Sequence, residues 1–298
     1  MKIFNKLLSF CFSLLICLSL IGCEDTKPIY NSENTWDDDG VLKILAVGNS
    51  FSVDSMEYVC EIAKEMGVEK IELGNLYIGS CTLETHLEKS QSEFNPYKYY
   101  MRNESKSWTS KNYSYKKAVE ENNWDFITFQ QGSALSGMAD SYSYLNDLIE
   151  VTKSMCTNAN VKFAWHMTWA YQGNSTHKNF PDYSSDQMVM YNAIVNAVQT
   201  KIVTNSDIVA IIPNGTAIQN ARTSYLGDTL TRDGYHLSYN QGRYIAGVTT
   251  LAALIGMDYD RFDFSKVIED EKFAKVVKES SKNAMQKPFE ITPSQITA

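Results

Sequence analysis

Apolar segments of strand length alternate with segments of helical pattern from residue 41 to about residue 256. The first segment, residues 42–47, is apolar at nearly every position, which is typical of a strand covered on both faces. A chain that alternates strands and helices in this way folds as a mainly parallel sheet with helices on both faces. We therefore predict an α/β fold in which ligands bind beyond the carboxyl ends of the strands.

The hydrophobic periodicity locates the individual elements. Five strands are predicted at residues 42–47, 71–78, 124–130, 161–168 and 208–212. Helices are predicted at residues 55–66, 115–122, 144–155, 186–203 and 240–254, with one more at 265–281. Residues 96–113 predict a hairpin over the core. The sequence thus predicts one domain at residues 41–257 and a C-terminal extension, residues 258–298, that packs on its outside.

The N-terminal segment has the pattern of a targeting signal. Residues 1–22 begin with Lys2 and Lys6 and continue with an apolar stretch that is short for a membrane span. The stretch ends in Leu-Ile-Gly-Cys, which resembles the lipobox of bacterial lipoproteins and makes Cys23 the expected lipidation site. An ordinary signal peptide with an incidental cysteine is the alternative. We expect a flexible polar tether at residues 23–40, a lipid anchor in the membrane, and a periplasmic or surface-exposed location in the cell envelope.

The composition argues against several classes of function. A net charge of −8 without a basic cluster argues against nucleic-acid binding, because phosphate binding requires concentrated Lys and Arg. Beyond the signal and Cys23 the cysteines are Cys60, Cys81 and Cys156, an odd number without a CxxC pair. The sequence therefore predicts no metal site, and both one disulfide and three buried thiols fit the pattern. The sequence has no glycine-rich phosphate loop, and we expect no cofactor.

Two short motifs at opposite ends of the pattern carry the side chains of a serine hydrolase. Ser50 follows a Gly-Asn pair after the first strand, and the string TRDGYHLS at residues 231–238 places Asp233 three residues before His236. Asp233 can hold the Nδ1–H of His236, which leaves Nε2 free to accept the proton of Ser50. The alternatives are that Ser50 or Ser52 only caps the helix and that the Asp-His pair lies on the surface. The two motifs together favour a hydrolase.

Other residues at predicted strand ends are candidates for the same site. The N–H of Gly79, after the second strand, can donate to an oxyanion, and the amide of Gln131, after the third strand, is a second candidate donor. Plain turn formation is the alternative for both. The candidate substrate contacts are Asn49, His86, Trp169 and Tyr171. Trp169 and Tyr171 lie in an aromatic loop that can stack on a sugar ring, although Trp169 fits a core position equally well and His86 fits a helix surface.

These motifs resemble the sequence blocks of the SGNH (GDSL-type) hydrolase superfamily. GNSFS at residues 48–52 is similar to the nucleophile block, Gly79 to the second block, and residues 231–238 to the last block. The third block normally contributes an asparagine, whereas this chain has QQGS at residues 130–133, as in sialate-acetylesterase-like branches. The resemblance implies a three-layer flavodoxin-like fold and ester hydrolysis without a cofactor. It also implies an oxyanion hole of the Ser50 N–H, the Gly79 N–H and the Gln131 amide, with Gln130 as the spare.

The sequence and the resemblance together predict an envelope esterase that removes small acyl groups, above all acetyl, from an acylated carbohydrate. Two alternatives stay open. One is a non-catalytic glycan-binding lipoprotein on the same scaffold, which the unusual QQGS string keeps in view. The other is an esterase or lipase for longer acyl chains, although no extended apolar lid is evident in the sequence.

Overall fold

The computed structural model describes Trp36 and residues 40–92, 94–103 and 107–297. In this part of the chain one sheet has seven strands. In chain order they are β1 (Val41–Gly48), β2 (Lys70–Tyr77), β3 (Tyr97–Asn103), β4 (Thr109–Tyr113), β5 (Phe126–Phe129), β6 (Lys162–His166) and β7 (Ile208–Ile212). All four residues of β5 are buried, so both faces of the sheet are covered at its centre.

The strands lie side by side in the order β4-β3-β2-β1-β5-β6-β7. The five strands from β2 to β7 along this order run parallel, and β3 and β4 form an antiparallel hairpin at one edge. The α/β prediction is confirmed, but the predicted count of five strands is wrong. Residues 96–113 extend the sheet instead of lying over it, because β3 pairs with β2 and buries Tyr97 and Tyr99.

Helices fill the connections between the strands. They are α1 (Ser50–Met56), α2 (Val59–Glu65), α3 (Leu83–Ser90), α4 (Tyr115–Glu120), α5 (Leu145–Met155), α6 (Gln187–Lys201), α7 (Asn214–Arg222), α8 (Gly242–Ile255) and α9 (Glu271–Gln286). They form two main groups: α1, α2, α7, α8 and α9 contact one another on one side, and α3, α4 and α5 do so on the other. Helices on both sides of a sheet give the layered α/β architecture that the alternation predicts.

The predicted and the observed helices differ in four main places. The predicted helix at 55–66 is two helices, and the first starts earlier because the side chain of Asn49 accepts a hydrogen bond from the Phe51 N–H and caps it. Helices α3 and α7 were not predicted. The last helix starts at Glu271 instead of residue 265, since Asp270 accepts from the N–H groups of Lys272 and Phe273. It packs on α7 and α8, which places residues 258–297 against the domain.

The predicted signal peptide and Cys23 lie outside the described residues. Of the predicted tether, Trp36 is buried in the core, with 8% of its surface exposed, so the chain is already packed on the domain at that residue. No helix among the described residues is long and apolar enough to cross a membrane.

The cysteines within the described ranges are not crosslinked. Cys60 and Cys81 are buried and Cys156 is half-buried, and none of the three forms a disulfide. Burial raises the pKa of the Cys81 thiol to about 12 and that of Cys156 to about 11. Both thiols are therefore protonated and unreactive at neutral pH. Within the same ranges, no group of three or more His, Cys, Asp or Glu side chains is arranged to hold a metal ion.

Candidate active site

Ser50, His236 and Asp233 lie together beyond the carboxyl ends of the parallel strands. The Nε2 atom of His236 is 2.8 Å from the Oγ atom of Ser50, and its Nδ1 atom is 2.6 Å from the Oδ2 atom of Asp233. Ser50 and His236 are 186 residues apart in sequence. The structure thus brings the two motifs into one hydrogen-bonded line, as the sequence predicted.

The turn after β1 presents Ser50. Asn49 is the N-cap of α1, so Ser50 is the first residue of this helix. The turn requires glycine at position 48. A Cβ atom here would lie 2.5 Å from the Oγ atom of Ser52 and 2.8 Å from the Oε1 atom of Gln130. Only glycine fits at that distance without a shift of its neighbours. Ser52 lies inside the helix, where its hydroxyl donates to Asn75, which leaves Ser50 at the surface of the site.

A small closed loop presents His236. A β-bridge between Thr231 and Leu237 closes the loop, and Gly234 adopts a φ of +92°, a conformation that favours glycine. The Oδ1 atom of Asp233 accepts hydrogen bonds from the N–H groups of His236 and Tyr235, at 2.8 and 3.3 Å. The carboxylate is therefore fixed by the backbone of the same loop that carries the imidazole.

The surroundings of Asp233 keep its carboxyl group ionised. Partial burial raises its pKa, but the hydrogen bonds from the side chain and backbone of His236 outweigh burial, and the net pKa lies below the ordinary value. An ionised carboxylate at this position holds the proton of His236 on Nδ1 and leaves Nε2 as an acceptor toward Ser50. The arrangement can therefore deprotonate a hydroxyl group.

Aromatic rings pack between the His236 loop and the core. Trp169 stacks on Phe51 with ring centroids 4.2 Å apart, and its Nε1 atom donates to the carbonyl of Tyr235 at 2.7 Å. Trp169 and Tyr171 are both 0% exposed. The prediction that they stack on a substrate ring is therefore wrong. They are core residues that hold the His236 loop, and the alternative reading of Trp169 is the correct one.

Gln131 does not fit the role of an oxyanion donor. Its Nε2 atom donates to the carbonyl and to the hydroxyl of Ser141, both at 2.9 Å, and its Oε1 atom accepts from the N–H of Leu83. The amide of the second candidate, Gln130, already has a partner as well, since its Nε2 atom donates to Asn49 at 2.9 Å. Both glutamines are 1% exposed and serve as internal connectors. The prediction that the amide of Gln131, or of Gln130 in its place, donates to the oxyanion is therefore corrected.

Asn49 and His86 are not substrate contacts either. Asn49 is 2% exposed and its side chain bonds to Phe51, Gln130 and the carbonyl of Cys81. His86 is 0% exposed, with Nδ1 3.0 Å from the hydroxyl of Tyr97. Both predictions fail because the side chains point into the protein and are engaged there.

Gly79 remains an exposed candidate at the edge of the site. It follows β2, and the N–H of the preceding residue, Ile78, donates to the carbonyl of Gly48 at 3.5 Å. The end of β2 thus lies against the turn that leads to Ser50. Its proposed role as an oxyanion donor stays a prediction.

Sequence reasoning missed four residues around the site. Tyr235 has its ring 4.2 Å from that of His236, and His177 lies 4.8 Å beyond it. Ser133 is partly exposed, with its hydroxyl 2.9 Å from that of Tyr171. Asp54 lies one turn after Ser50 on α1 and is fully buried. Of these, Asp54 had a readable signal, because an acid four residues after a candidate nucleophile on one helix lies on the same face.

Comparison with solved structures gives matches that range from near to remote. The chain is 36% identical to a DUF4886 family protein from Bacteroides uniformis ATCC 8492, with a TM-score of 0.79 over 85% of this chain and 97% of that chain. It is 13% identical to a lipase from a goat rumen metagenome, with a TM-score of 0.47 over 74% of this chain and all of that one.

A catalytic mutant of an acetylxylan esterase from Geobacillus stearothermophilus is 12% identical to the chain. Its TM-score is 0.45 over 72% of this chain and 94% of that chain. Remote likenesses of this size carry no conclusion about function. No curated protein matches the chain. The family model named DUF4886, a domain of unknown function, matches residues 43–284, and this chain therefore belongs to the DUF4886 family.

Proposed function

We propose that this chain is a serine ester hydrolase of the SGNH type, with Ser50 as nucleophile, His236 as general base and Asp233 as the group that orients His236. One observation carries the proposal. The line from Asp233 Oδ2 through both ring nitrogens of His236 to Ser50 Oγ is continuous, with separations of 2.6 and 2.8 Å. A serine hydroxyl is a weak nucleophile until a base lies within hydrogen-bond reach, and this geometry supplies that base.

The proposed reaction has two steps. In the first, the oxygen of Ser50 attacks the ester carbonyl carbon while its proton moves to Nε2 of His236. The tetrahedral intermediate then expels the alcohol, which takes the proton from His236. In the second step His236 removes a proton from water, the resulting hydroxide attacks the acyl carbon, and the acid leaves as Ser50 regains its proton. Asp233 stays ionised throughout, in keeping with its lowered pKa.

Backbone amides are the proposed donors to the oxyanion. The N–H of Ser50, at the first residue of α1, and the exposed N–H of Gly79 are the two candidates. Since the amide of Gln131 is bonded to Ser141, it adds no third donor in the described state. One oxyanion donor is typically worth about 10² to 10³ in rate, so a two-donor hole predicts a modest catalytic rate.

The proposed substrate is a carbohydrate that carries small acyl groups, with acetyl as the first candidate. The support is the partly exposed ring of Tyr235, which lies between the rings of His236 and His177 with centroid distances of 4.2 and 4.8 Å. A flat ring with a polar edge directly beside the reacting groups suits a polar ring-shaped substrate. The buried Trp169 and Tyr171 play no part in this proposal.

The second candidate function is glycan binding without catalysis. The specific observation in its favour is that neither Gln130 nor Gln131 has an amide free to stabilise an oxyanion. An acyl-transfer site with fewer donors loses transition-state stabilisation while its substrate contacts are unaffected. The two candidates differ in one measurable property, which is turnover at Ser50.

Hydrolysis of p-nitrophenyl acetate by three purified proteins tests the proposal. Wild type is expected to turn over, Ser50→Ala to lose nearly all activity, and Ser55→Ala to retain it. Ser55 is a matched control because it lies on the same helix and its hydroxyl only donates to the carbonyl of Ser52. A wild type that is inactive on nitrophenyl esters of every chain length but still binds glycans would favour the second candidate. Acetate release from a panel of acetylated glycans then identifies the sugar.

We also propose that Cys23 carries a lipid that anchors the protein in the cell envelope. The support is the Leu-Ile-Gly-Cys string after the apolar stretch of residues 7–21. Incorporation of a labelled fatty acid into the protein expressed in bacteria tests this, with Cys23→Ala as the control. A wild-type protein that takes up no label refutes it.

A further inference from the structure

A fully buried carboxylate on α1 connects the nucleophile helix to the His236 loop. Asp54 is 0% exposed and accepts hydrogen bonds from three residues. The Nη1 atom of Arg232 donates to both of its oxygens at 3.0 and 3.2 Å, the Nε atom of Arg243 donates at 2.8 Å, and the backbone N–H of Leu237 donates at 2.8 Å. Two arginines and one amide therefore compensate a single buried charge.

Two of these donors involve the peptide group that follows His236. Leu237 is the next residue in the chain, and its N–H bonds directly to Asp54. The N–H of Arg232 donates to the carbonyl of His236 at 2.9 Å, while its guanidinium donates to Asp54 and to the carbonyl of Leu237. The peptide group that follows His236 is thus tied to Asp54, directly through its N–H and by way of Arg232 through its carbonyl, and Asp54 lies one helical turn from Ser50.

The bonds between Asp233 and His236 differ from those that join the loop to α1. The bonds between Asp233 and His236 lie within the loop, and so does the bridge from Thr231 to Leu237. Asp54 belongs to the helix that begins with Ser50. Charge-assisted bonds to a buried carboxylate are short and directional, so they fix the distance between the two elements more firmly than apolar contact does.

We propose that Asp54 is a positioning residue that sets the distance between Ser50 and His236. The inference rests on the proposed hydrolase function. Loss of the carboxylate charge leaves the two guanidinium groups without their shared acceptor, and the loop moves away from α1. The Asp233–His236 pair survives as a unit, while the bond from His236 to Ser50 is lost. A displacement of about 1 Å between nucleophile and base costs about 10² in rate.

The test compares wild type, Asp54→Asn and Glu57→Gln. Glu57 is a matched control, because it is the C-cap of the same helix and its carboxylate pairs with Arg243 at 3.2 Å, outside the His236 loop. Three readouts are needed: labelling of Ser50 by a fluorophosphonate probe, kcat and KM on p-nitrophenyl acetate, and the downfield NMR signal of the proton between His236 and Asp233.

For Asp54→Asn we expect about 10² slower labelling and a kcat lower by a similar factor, with KM changed less than about threefold. The downfield proton is expected to persist, which a general loss of structure would not allow. Glu57→Gln is expected to match wild type in all three readouts. If Asp54→Asn labels and turns over like wild type, or if it loses activity together with the downfield proton, the inference is overturned.

A second variant covers the case in which Asp54→Asn does not fold. Arg232→Lys keeps the charge but removes the planar fork that bonds both Asp54 and the loop. It is expected to label about tenfold more slowly with KM unchanged, and wild-type kinetics would overturn the inference. A wild type that neither labels nor hydrolyses esters would instead refute the proposed function, so the two failures are distinguishable.

Discussion

Two buried neutral histidines make the fold sensitive to mild acid. His86 and His166 are fully buried, and burial lowers the pKa of each to about 3. In the unfolded chain a histidine has a pKa of about 6.5, so below that pH the unfolded state binds protons that the folded state excludes. The free energy of unfolding is therefore unaffected by these two histidines above pH 6.5, and it decreases progressively as the pH falls from there toward 3.

The size of the effect follows from the two pKa values. At pH 5 the unfolded state gains about 2 kcal/mol per histidine, or about 4 kcal/mol for the pair. That is a large part of the roughly 5 to 15 kcal/mol by which a domain is stable. The neutral form of His166 fits its partners, because its Nδ1 lies 3.2 Å from the acceptor Gln130 Oε1 and its Nε2 lies 3.0 Å from the amide nitrogen of Asn214, a donor.

Urea unfolding between pH 7.5 and pH 5 measures this loss, and His86→Phe isolates one histidine. The phenyl ring keeps the stacking on Tyr97 and removes the titrating nitrogens. The variant is less stable at pH 7.5, since the Tyr97 hydroxyl loses its partner, but between pH 7.5 and pH 5 it should lose about 2 kcal/mol less than wild type. Equal losses in the two proteins, or a wild-type stability that is flat over this range, would refute the reasoning.

Two predictions address the site itself. Asp233→Asn should lower kcat by about 10⁴ with the fold intact, because the amide no longer holds the His236 tautomer, and a loss under about tenfold on p-nitrophenyl acetate contradicts the orienting role. Gln131→Ala should keep kcat within about threefold of wild type but cost about 1 to 3 kcal/mol in unfolding free energy, because its bonds to Ser141 and Leu83 are structural. A loss of about 10² in kcat with unchanged stability would return Gln131 to the oxyanion hole.

The parallel core of the fold was predictable because its strands are apolar along their length. The segment of β1 and the segment of β7 could be read directly, since buried parallel strands have no polar face. The hairpin at residues 96–113 was predictable but its place at the edge of the sheet was not, because β3 carries three tyrosines with Lys98 and Arg102 and buries only one face against its neighbours. Helix α7 was missed for a related reason: it is buried along its length although its sequence, NGTAIQNAR, is polar.

The three proposed reacting groups of the site were predictable, whereas the orientation of the side chains around them was not. Ser50, Asp233 and His236 sit in short motifs whose spacing restricts their chemistry, so the sequence alone brings them to one place. For Asn49, Trp169 and Gln131 the sequence gives the right neighbourhood, because each follows a strand end. It does not say whether a side chain there points into the cleft or into the protein, since that depends on contacts with residues far away in the chain.

The glutamine pair at residues 130–131 joins the end of β5 to two helices. Gln130 reaches from the end of β5 to the Asn49 cap of α1, and Gln131 reaches to the first N–H of α3. Helices α1 and α3 follow β1 and β2, so Gln130 bonds the cap of the helix that begins with Ser50, and Gln131 bonds the first residue of a helix that begins after Gly79. A glutamine is one methylene longer than an asparagine, which suits a connector better than a short donor at the cleft. Gln130 thus holds the turn of Ser50, Gln131 holds the start of α3, and backbone N–H groups are the proposed donors to the oxyanion. Because that stabilisation depends on fixed geometry, the rigidity of the Ser50 turn matters more here than where a side-chain amide adds a third donor.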